Sequence, residues 1–506
     1  MSVSRILAIA IAILFLSYGI PIVQRFLSRG RASRSHGCLP PPSIPQRDPI
    51  FGLDVILQLF KAVKAGQRNI SMNQLFKIYG HTFQSKSWNS ATIYTIEPKN
   101  LQAVFATDFM SWGVQPMRLF AFKPFVGKGI MCADGTFWEQ SRALIKPTFA
   151  RAQIADLHLA AYAVHVEKLL DLLPRDGATV DLQPLFSRLA LDSSTEFLFG
   201  ESVGSLSPNT ISFGAESFLK AYDYGQMVIG RRLHLPQWNF LTRDKKFWDS
   251  CKIVREFVDS YIEQGQHIVD QAKKGNEAPK RYILAHELIK ETRDPDNIRN
   301  QLFNIFLPAH EAVGVALTNV FFNLARNPNV YTKLRQEILA AAIDQAPWTF
   351  ERLKSLRYLQ YVINETFRLN PAIGTNTRMA LQDTILPTGG GPSGTSPIFV
   401  KRRDIVTMSF YALHRRQDLF GDDANVFRPE RWETLRPVHW SYLTFGGGPR
   451  ICPSQQLALT EVSYTIVKIM QMFKGIENRD PVNGFIEVYK ITTTSKNGAK
   501  VALLPA

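Results

Sequence analysis

The sequence predicts a mainly α-helical chain with small β-sheets, and three observations carry that expectation. From about residue 98 to 375, apolar side chains recur three and four apart, the spacing of one helix face. Short runs with strand-type alternation stand only near the start of that region and after it. No linker-like stretch divides the middle of the 506 residues, so one large domain is expected, although length alone would allow two to four.

Taken in chain order, Ile6 to Val23 is almost unbroken apolar sequence, at the short end for a membrane span of ~20 residues. A cleavable signal peptide is the competing reading, but no clear Ala-x-Ala site follows. Arg25, Arg29, Arg31 and Arg34 come next, and excess positive charge marks a cytoplasmic flank. Residues 1–24 are therefore assigned to a transmembrane anchor, 25–50 to a basic, proline-rich hinge and 51–506 to the folded domain. Pro40, Pro41, Pro42, Pro45 and Pro49 should hold the hinge extended as a spacer. Alternation near Thr82–Phe83 and Ala91–Ile96 predicts two strands. The clearest helices are expected over Leu157–Leu173, Trp248–Val269, Asn300–Ala325 and Pro328–Ala342. Asn327-Pro328 supplies a cap and a first-turn proline for the last of these. Gly275 to Arg281 is polar and reads as an exposed loop. Residues 376–410 contain strand-like pieces around Gly389-Gly-Gly391, a glycine run that lacks the Gly-Lys-Ser/Thr of a phosphate loop and is assigned to a turn.

The net charge is +16 and the pI about 9.6, yet the lysines and arginines are dispersed and nothing resembles a nucleic-acid module. An acidic protein partner or a bound dianion fits that balance better. Four cysteines in so long a chain build no disulfide framework, so the folded domain should face a reducing compartment.

One cysteine stands apart. Phe445-Gly-Gly-Gly448-Pro-Arg450-Ile-Cys452-Pro-Ser454 places it in a glycine-rich, arginine-bearing loop, and a helical pattern opens at once, expected from Pro453. A thiolate needs nearby donors and positive charge. Glycines let the backbone approach closely, and a helix start brings free N–H groups and the positive end of a dipole. Such a loop suits the presentation of a single thiolate to a flat metal cofactor. A buried structural cysteine is the bland alternative.

Phe-x-x-Gly-x-Arg-x-Cys resembles the haem-ligand loop of the cytochrome P450 family. Glu365-Thr-Phe-Arg368 resembles that family's Glu-x-x-Arg, Phe427-Arg-Pro429-Glu430-Arg431-Trp432 its Pro-Glu-Arg-aromatic segment, and Trp138-Glu-Gln-Ser-Arg142 its early Trp-x-x-x-Arg. The similarity covers roughly residues 40 to 506. Gly389-Gly-Gly391-Pro and Pro397-Ile-Phe-Val400 further resemble the fungal branch that hydroxylates alkanes and fatty acids.

The resemblance implies a single haem domain with an N-terminal membrane anchor. Cys452 would be the axial thiolate of haem b and the metal ligand, in a loop shaped by Phe445 and Gly448. Arg450, Trp138, Arg142 and Arg378 would hold the haem propionates, and Glu365, Arg368 and Arg431 would brace the haem-loop side structurally. The implied activity is monooxygenation of a lipophilic substrate, an aliphatic chain or a secondary metabolite. Electrons would come from NADPH through a separate NADPH–cytochrome reductase. The implied place is the endoplasmic reticulum membrane, spanned once, with the domain cytosolic and no nucleic-acid partner.

Phe306-Leu-Pro308-Ala309-His310-Glu311-Ala312-Val313-Gly314 aligns with the family's long helix over the oxygen side of the haem. Glu311 keeps the acid, but Ala312 and Val313 stand where hydroxyls are usual. Glu311 and Ala312 are thus the catalytic candidates, with Glu311 and ordered water or a substrate hydroxyl delivering protons. Pro308 should kink the helix, and His310 is either a relay or iron ligand or, more plainly, a satisfied polar group. Ser454 replaces a usual glycine. The lost threonine leaves two further readings open: a haem-thiolate isomerase, dehydratase or peroxide-using enzyme, and a non-enzymatic haem or lipid binder.

Overall fold

The protein's structure is a computed structural model that describes residues 20–48, 52–87, 90–149, 158–207, 213–234, 244–274 and 283–506. The helices used below are α1 (Ile20–Ser35), α2 (Gln115–Val126), α3 (Gly135–Ile145), α4 (Leu182–Phe199), α5 (Phe213–His234), α6 (Pro295–Arg326), α7 (Arg357–Leu369) and α8 (Gln455–Met472).

Helix α6 sets the frame. Asp294 caps it by accepting from the Asp296 N–H, and Pro295 occupies its first turn, where a missing N–H costs nothing. Its residues are apolar on nearly every side, and such a helix is stable only inside other structure. Among the described residues it is the one helix long and apolar enough to cross a membrane, but most of it is buried in the protein core. It runs 32 residues, about 48 Å at 1.5 Å per residue, and stays helical across Pro308. Helix α4 crosses it so closely that a Cβ on Gly314 would sit 3.1 Å from the Phe186 carbonyl oxygen.

Around α6 lie three apolar clusters. One joins α4, α6, α7 and α8 through Phe186, Leu317, Phe321, Leu359, Val362 and Ile466. A second joins α2 and α5 to the other half of α6 through Phe125, Phe218, Tyr222 and Phe306. The third lies under the main sheet.

The described strands are β1 (Thr82–Ser87), β2 (Ser90–Thr95), β3 (Trp112–Gly113), β4 (Thr179–Asp181), β5 (Thr375–Ala380), β6 (Thr384–Gly390), β7 (Ser396–Val400), β8 (Ile405–Ser409), β9 (Phe473–Asn478), β10 (Glu487–Tyr489), β11 (Thr493–Ser495) and β12 (Lys500–Pro505). The main sheet runs β1-β2-β8-β5-β3, with β2 parallel to β8, Thr92 opposite Ile405, and Arg378 opposite Val406 across β5 and β8. A three-stranded sheet β4-β12-β9 and the hairpins β6–β7 and β10–β11 complete the strands.

A mainly helical chain with small sheets is what the periodicities predicted, and the anticipated helices form over Leu159–Asp171, Lys245–Lys273, Pro295–Arg326 and Pro328–Ala341. Details differ for physical reasons. The helix expected from Pro453 opens at Gln455, because Cys452 and its neighbours are held in the preceding loop. Asn327 sits at the N-cap position, but its amide donates back to the Asn323 carbonyl at 2.8 Å and makes no cap bond. The proline segment is docked instead of standing free: Leu39 N–H donates to Pro397 O, Gly391 N–H to Pro40 O and Gln84 N–H to Pro42 O. The basic stretch before it is helical, and Arg29 pairs with Asp383 through two bonds of 2.8 Å. Most of the expected anchor and the loop Gly275–Arg281 lie outside the described residues.

Candidate functional site

The cysteine loop is shaped by backbone contacts. Cys452 N–H donates to the Phe445 carbonyl at 3.0 Å, and Ile451 N–H to the Gly448 carbonyl at 3.0 Å. Gly448 has φ +66, and a Cβ there would stand 1.8 Å from the Phe105 carbonyl oxygen, so only glycine fits. The Phe445 ring meets Phe367 of α7 edge-on at 5.8 Å, tying the loop to that helix. Cys452 is half-buried, its sulfur 3.4 Å from the Ser454 hydroxyl oxygen.

Helix α7 is amphipathic with a buried face that carries both a carboxylate and a guanidinium into the core. Glu365 and Arg368 are each 0% exposed. Arg368 Nε and Nη2 each donate to Glu365 at 2.8 Å, a bidentate pair. Its other donors reach the carbonyls of His414 at 2.7 Å, Ala424 at 2.5 Å and Val426 at 3.3 Å. Glu365 also accepts from Arg431 Nε at 3.0 Å, the Arg428 N–H at 2.9 Å and the Trp432 indole at 3.1 Å. Burial pushes this carboxyl up, but the Arg368 hydrogen bonds and the neighbouring charges reverse that and hold it below its ordinary value. The three residues singled out in sequence are one network that staples α7 to the segment before the cysteine loop.

Arginines converge from four elements. Trp138 and Arg142 lie one turn apart on α3, Arg378 on β5 and Arg450 beside the cysteine. A fourth, Arg118 on α2, had no motif to reveal it. The Arg450 guanidinium lies 4.4 Å over the Trp138 ring and donates to Asp134 at 2.7 Å and to the Ala133 carbonyl at 2.7 Å. Arg118 donates to Met131 O at 3.2 Å and to Asn376 Oδ1 at 3.3 Å, and Arg378 shares Asn376 at 2.5 Å. Burial lowers all four guanidinium pKa values; the Arg118 charge deepens this at Arg378 and Arg450, and Arg450 is brought to about 10. Arg142 senses Cys452. Four arginines thus face one carboxylate, Asp134, and the Cys452 sulfur, while the buried Arg450 Nε has no partner. Buried positive charge of this kind fits a dianionic group with carboxylate geometry, such as a pair of haem propionates.

On α6, Val313 packs into the apolar core, so of the two positions lacking a hydroxyl only Ala312 is half-exposed. Glu311 is pushed up by burial, with Lys490 and the neighbouring Thr492 hydroxyl pulling it back in part. His310 packs against Tyr222, ring centroids 5.0 Å apart, and against Phe306. Burial, then the Lys490 charge, brings it down to about 4, so it is neutral. His310 Nδ1 is buried without a hydrogen-bond partner, while the Tyr222 hydroxyl faces the Gln226 amide and the Thr492 hydroxyl faces Glu311. Glu311 and His310 of this cluster were legible in the sequence and the rest were not, because α5, α6 and the β10–β11 hairpin are distant in sequence.

A glycine-shaped cysteine loop, a set of buried and half-buried arginines and a carboxylate–guanidinium brace under one long helix fit a haem-thiolate protein. The family described as "Cytochrome P450" matches residues 42–499. The chain is 37% identical over 477 residues to "Cytochrome P450 monooxygenase apdE" of Emericella nidulans, covering 93% of this chain and 90% of that one. It is 38% identical to "Cytochrome P450 52A13" of Debaryomyces hansenii over 472 residues, covering 90% and 89%. It is also 38% identical to "Cytochrome P450 monooxygenase himC" of Aspergillus japonicus, covering 93% and 84%. The chain belongs to the cytochrome P450 family: it is a P450 monooxygenase, and its cofactor is a thiolate-bound haem.

Proposed function

We propose that the enzyme hydroxylates a lipophilic substrate with molecular oxygen, using electrons from NADPH delivered by a separate reductase. Cys452 is the residue offered to the iron. Arg118, Arg142, Arg378 and Arg450 hold the propionates, with Trp138 stacked on Arg450. A thiolate-bound haem supplies oxygen activation, because the sulfur pushes electron density onto iron. Glu365, Arg368 and Arg431 keep the cysteine loop in register and take no part in the chemistry. Glu311 donates protons beside Ala312: a carboxyl raised by burial titrates nearer neutrality, where proton transfer is most effective. Residues 1–24 anchor the chain in the endoplasmic reticulum membrane with the domain on the cytosolic side, a reading supported by the apolar run Ile6–Val23 and the arginines that follow it.

The observation that carries this reading is the convergence of four arginines beside the cysteine loop, Arg378 buried and the others half-buried, whose charge an anionic cofactor would balance. The test is Cys452→Ser in the full chain. The wild type should show a thiolate-type carbon monoxide difference spectrum and, with reductase, NADPH and labelled oxygen, should put label into product. The variant should lose both. A normal carbon monoxide spectrum in Cys452→Ser would remove the ligand assignment.

For the substrate, the polar groups of Tyr222, Gln226, His310 and Thr492 gathered beside Glu311 favour a molecule carrying uncharged hydrogen-bonding groups over a bare hydrocarbon. Buried polar atoms are normally satisfied, and Lys490 balanced by Glu311 and Asp223 favours neither an anion nor a cation. Binding spectra for dodecane and dodecanamide discriminate: tighter binding of the amide, lost in Gln226→Leu, is expected. Equal affinity rejects the preference.

A further inference from the structure

We infer that the Ser454 hydroxyl donates a hydrogen bond to the Cys452 sulfur and weakens its electron donation to the haem iron. The inference rests on the assignment of Cys452 as the ligand.

Two observations carry it. The Ser454 Oγ lies 3.4 Å from the Cys452 Sγ, within reach of a hydrogen bond to sulfur. Ser454 is also the N-cap residue of α8, yet its side chain makes no cap bond. Serine is among the residues preferred at that position, because its oxygen ordinarily accepts an N–H of the first helical turn. Here the hydroxyl makes no such bond and lies within hydrogen-bond distance of the sulfur. A thiolate has no proton to give, so the serine must be the donor, and hydrogen bonds to an ionised acceptor are the stronger kind.

The backbone explains why a side chain is tolerated. Ser454 has φ −97 and ψ 20, in the bridge region between helix and strand, with the negative φ open to residues other than glycine. Glycine is therefore not required here, unlike at Gly448, where φ is positive and a Cβ would strike the Phe105 carbonyl. Hydrogen bonds to a coordinating sulfur are among the means by which a protein sets a redox centre's potential. Charge drawn from the sulfur is withheld from iron, which favours the ferrous state. Ser454 is thus a positioning and tuning residue that acts through Cys452 without touching substrate.

The test uses the full-length, haem-loaded protein and three variants. Ser454→Ala and Ser454→Gly remove the donor, and Ser454→Thr retains it. Two readouts are taken: the ferric/ferrous reduction potential by spectroelectrochemical titration, and the C–O stretching frequency of the carbon monoxide complex. Ala and Gly should shift the potential to more negative values and lower the C–O frequency, and Thr should restore both towards wild type. If Ala and Gly leave both readouts at wild-type values while the thiolate-type spectrum persists, this inference is overturned and the ligand assignment stands. If the wild type itself lacks a thiolate-type spectrum, the ligand assignment falls and takes this inference with it. Equal shifts in Thr, Ala and Gly would show that packing, not the hydroxyl, sets the potential, and would likewise overturn it.

Discussion

Replacing Arg368 by alanine should cost the protein its haem and much of its stability, not merely its speed. The side chain is 0% exposed and directs five hydrogen bonds: two to Glu365 and three to the carbonyls of His414, Ala424 and Val426. After truncation, Glu365 still accepts from Arg431, the Arg428 N–H and Trp432, and Val426 keeps a bond from Arg431 at 3.2 Å. The His414 and Ala424 carbonyls lose the guanidinium, and the carboxylate loses its bidentate partner. Breaking one side of a buried pair costs about 3–5 kcal/mol, a large part of a typical total stability of ~5–15 kcal/mol. Arg368→Lys should lose less, because the charge stays but the planar fork goes. The assay is haem content together with the urea midpoint for wild type, Arg368→Ala and the double variant Arg368→Ala/Glu365→Gln. Neutralising the acid that has lost its bidentate partner should recover part of the loss, a coupling of ~1 kcal/mol or more. A haem-replete Arg368→Ala protein with an unchanged midpoint and slow turnover would refute a structural role for the network.

Three further outcomes follow from particular residues. Glu311→Gln should strongly lower product formation with the haem spectrum intact, and Ala312→Thr should improve the coupling of NADPH to product; unchanged turnover and coupling in Glu311→Gln would make the acid a mere structural partner. Acid should destabilise the fold through two buried neutral histidines, His310 brought to about 4 and His414 to about 3, chiefly by burial. An unfolded histidine binds a proton below ~6.5, but these folded ones do not until far lower pH. Their contribution is therefore complete above ~6.5 and is lost as pH falls, by about 1.4 kcal/mol each at pH 5.5. Urea midpoints from pH 7.5 to 5.5 check this, and a slope unchanged by replacing both histidines with uncharged residues would count against it. Deleting residues 1–24 should release the chain from membranes only in part, since Phe26, Leu27, Leu53 and Leu57 are exposed and could still meet lipid; carbonate-resistant integration of the truncated chain would contradict a single anchor.

The local chemistry of the site was legible in sequence because its motifs are short. Phe445 to Cys452 form one loop, Glu365 and Arg368 one helix face, and Trp138 and Arg142 another; a few residues in fixed spacing suffice to specify each. The body of helix α6 was equally plain from its apolar spacing, expected over Asn300–Ala325, but its start at Pro295 behind the Asp294 cap was not read from sequence. The identity of the brace could be read only with the resemblance to hand, because a Glu–Arg pair three apart is ordinary on any exposed helix.

Tertiary structure alone decided what meets what. Arg118 joined the arginine set because α2 folds back beside β5, a contact between residues 118 and 376 that no periodicity encodes. The hydroxyl beside Glu311 comes from Thr492, brought there by the β10–β11 hairpin, whereas sequence looked for it on α6 itself. The proline-rich hinge was read as a spacer from its composition, but the free N–H and C=O groups along the β6–β7 hairpin and β1 gave it partners, and unsatisfied backbone seeks them. Sequence determined which groups could hold a haem, because spacing along one element is a local property. The fold determined their charge, burial and partners, because those depend on segments hundreds of residues apart being packed into contact.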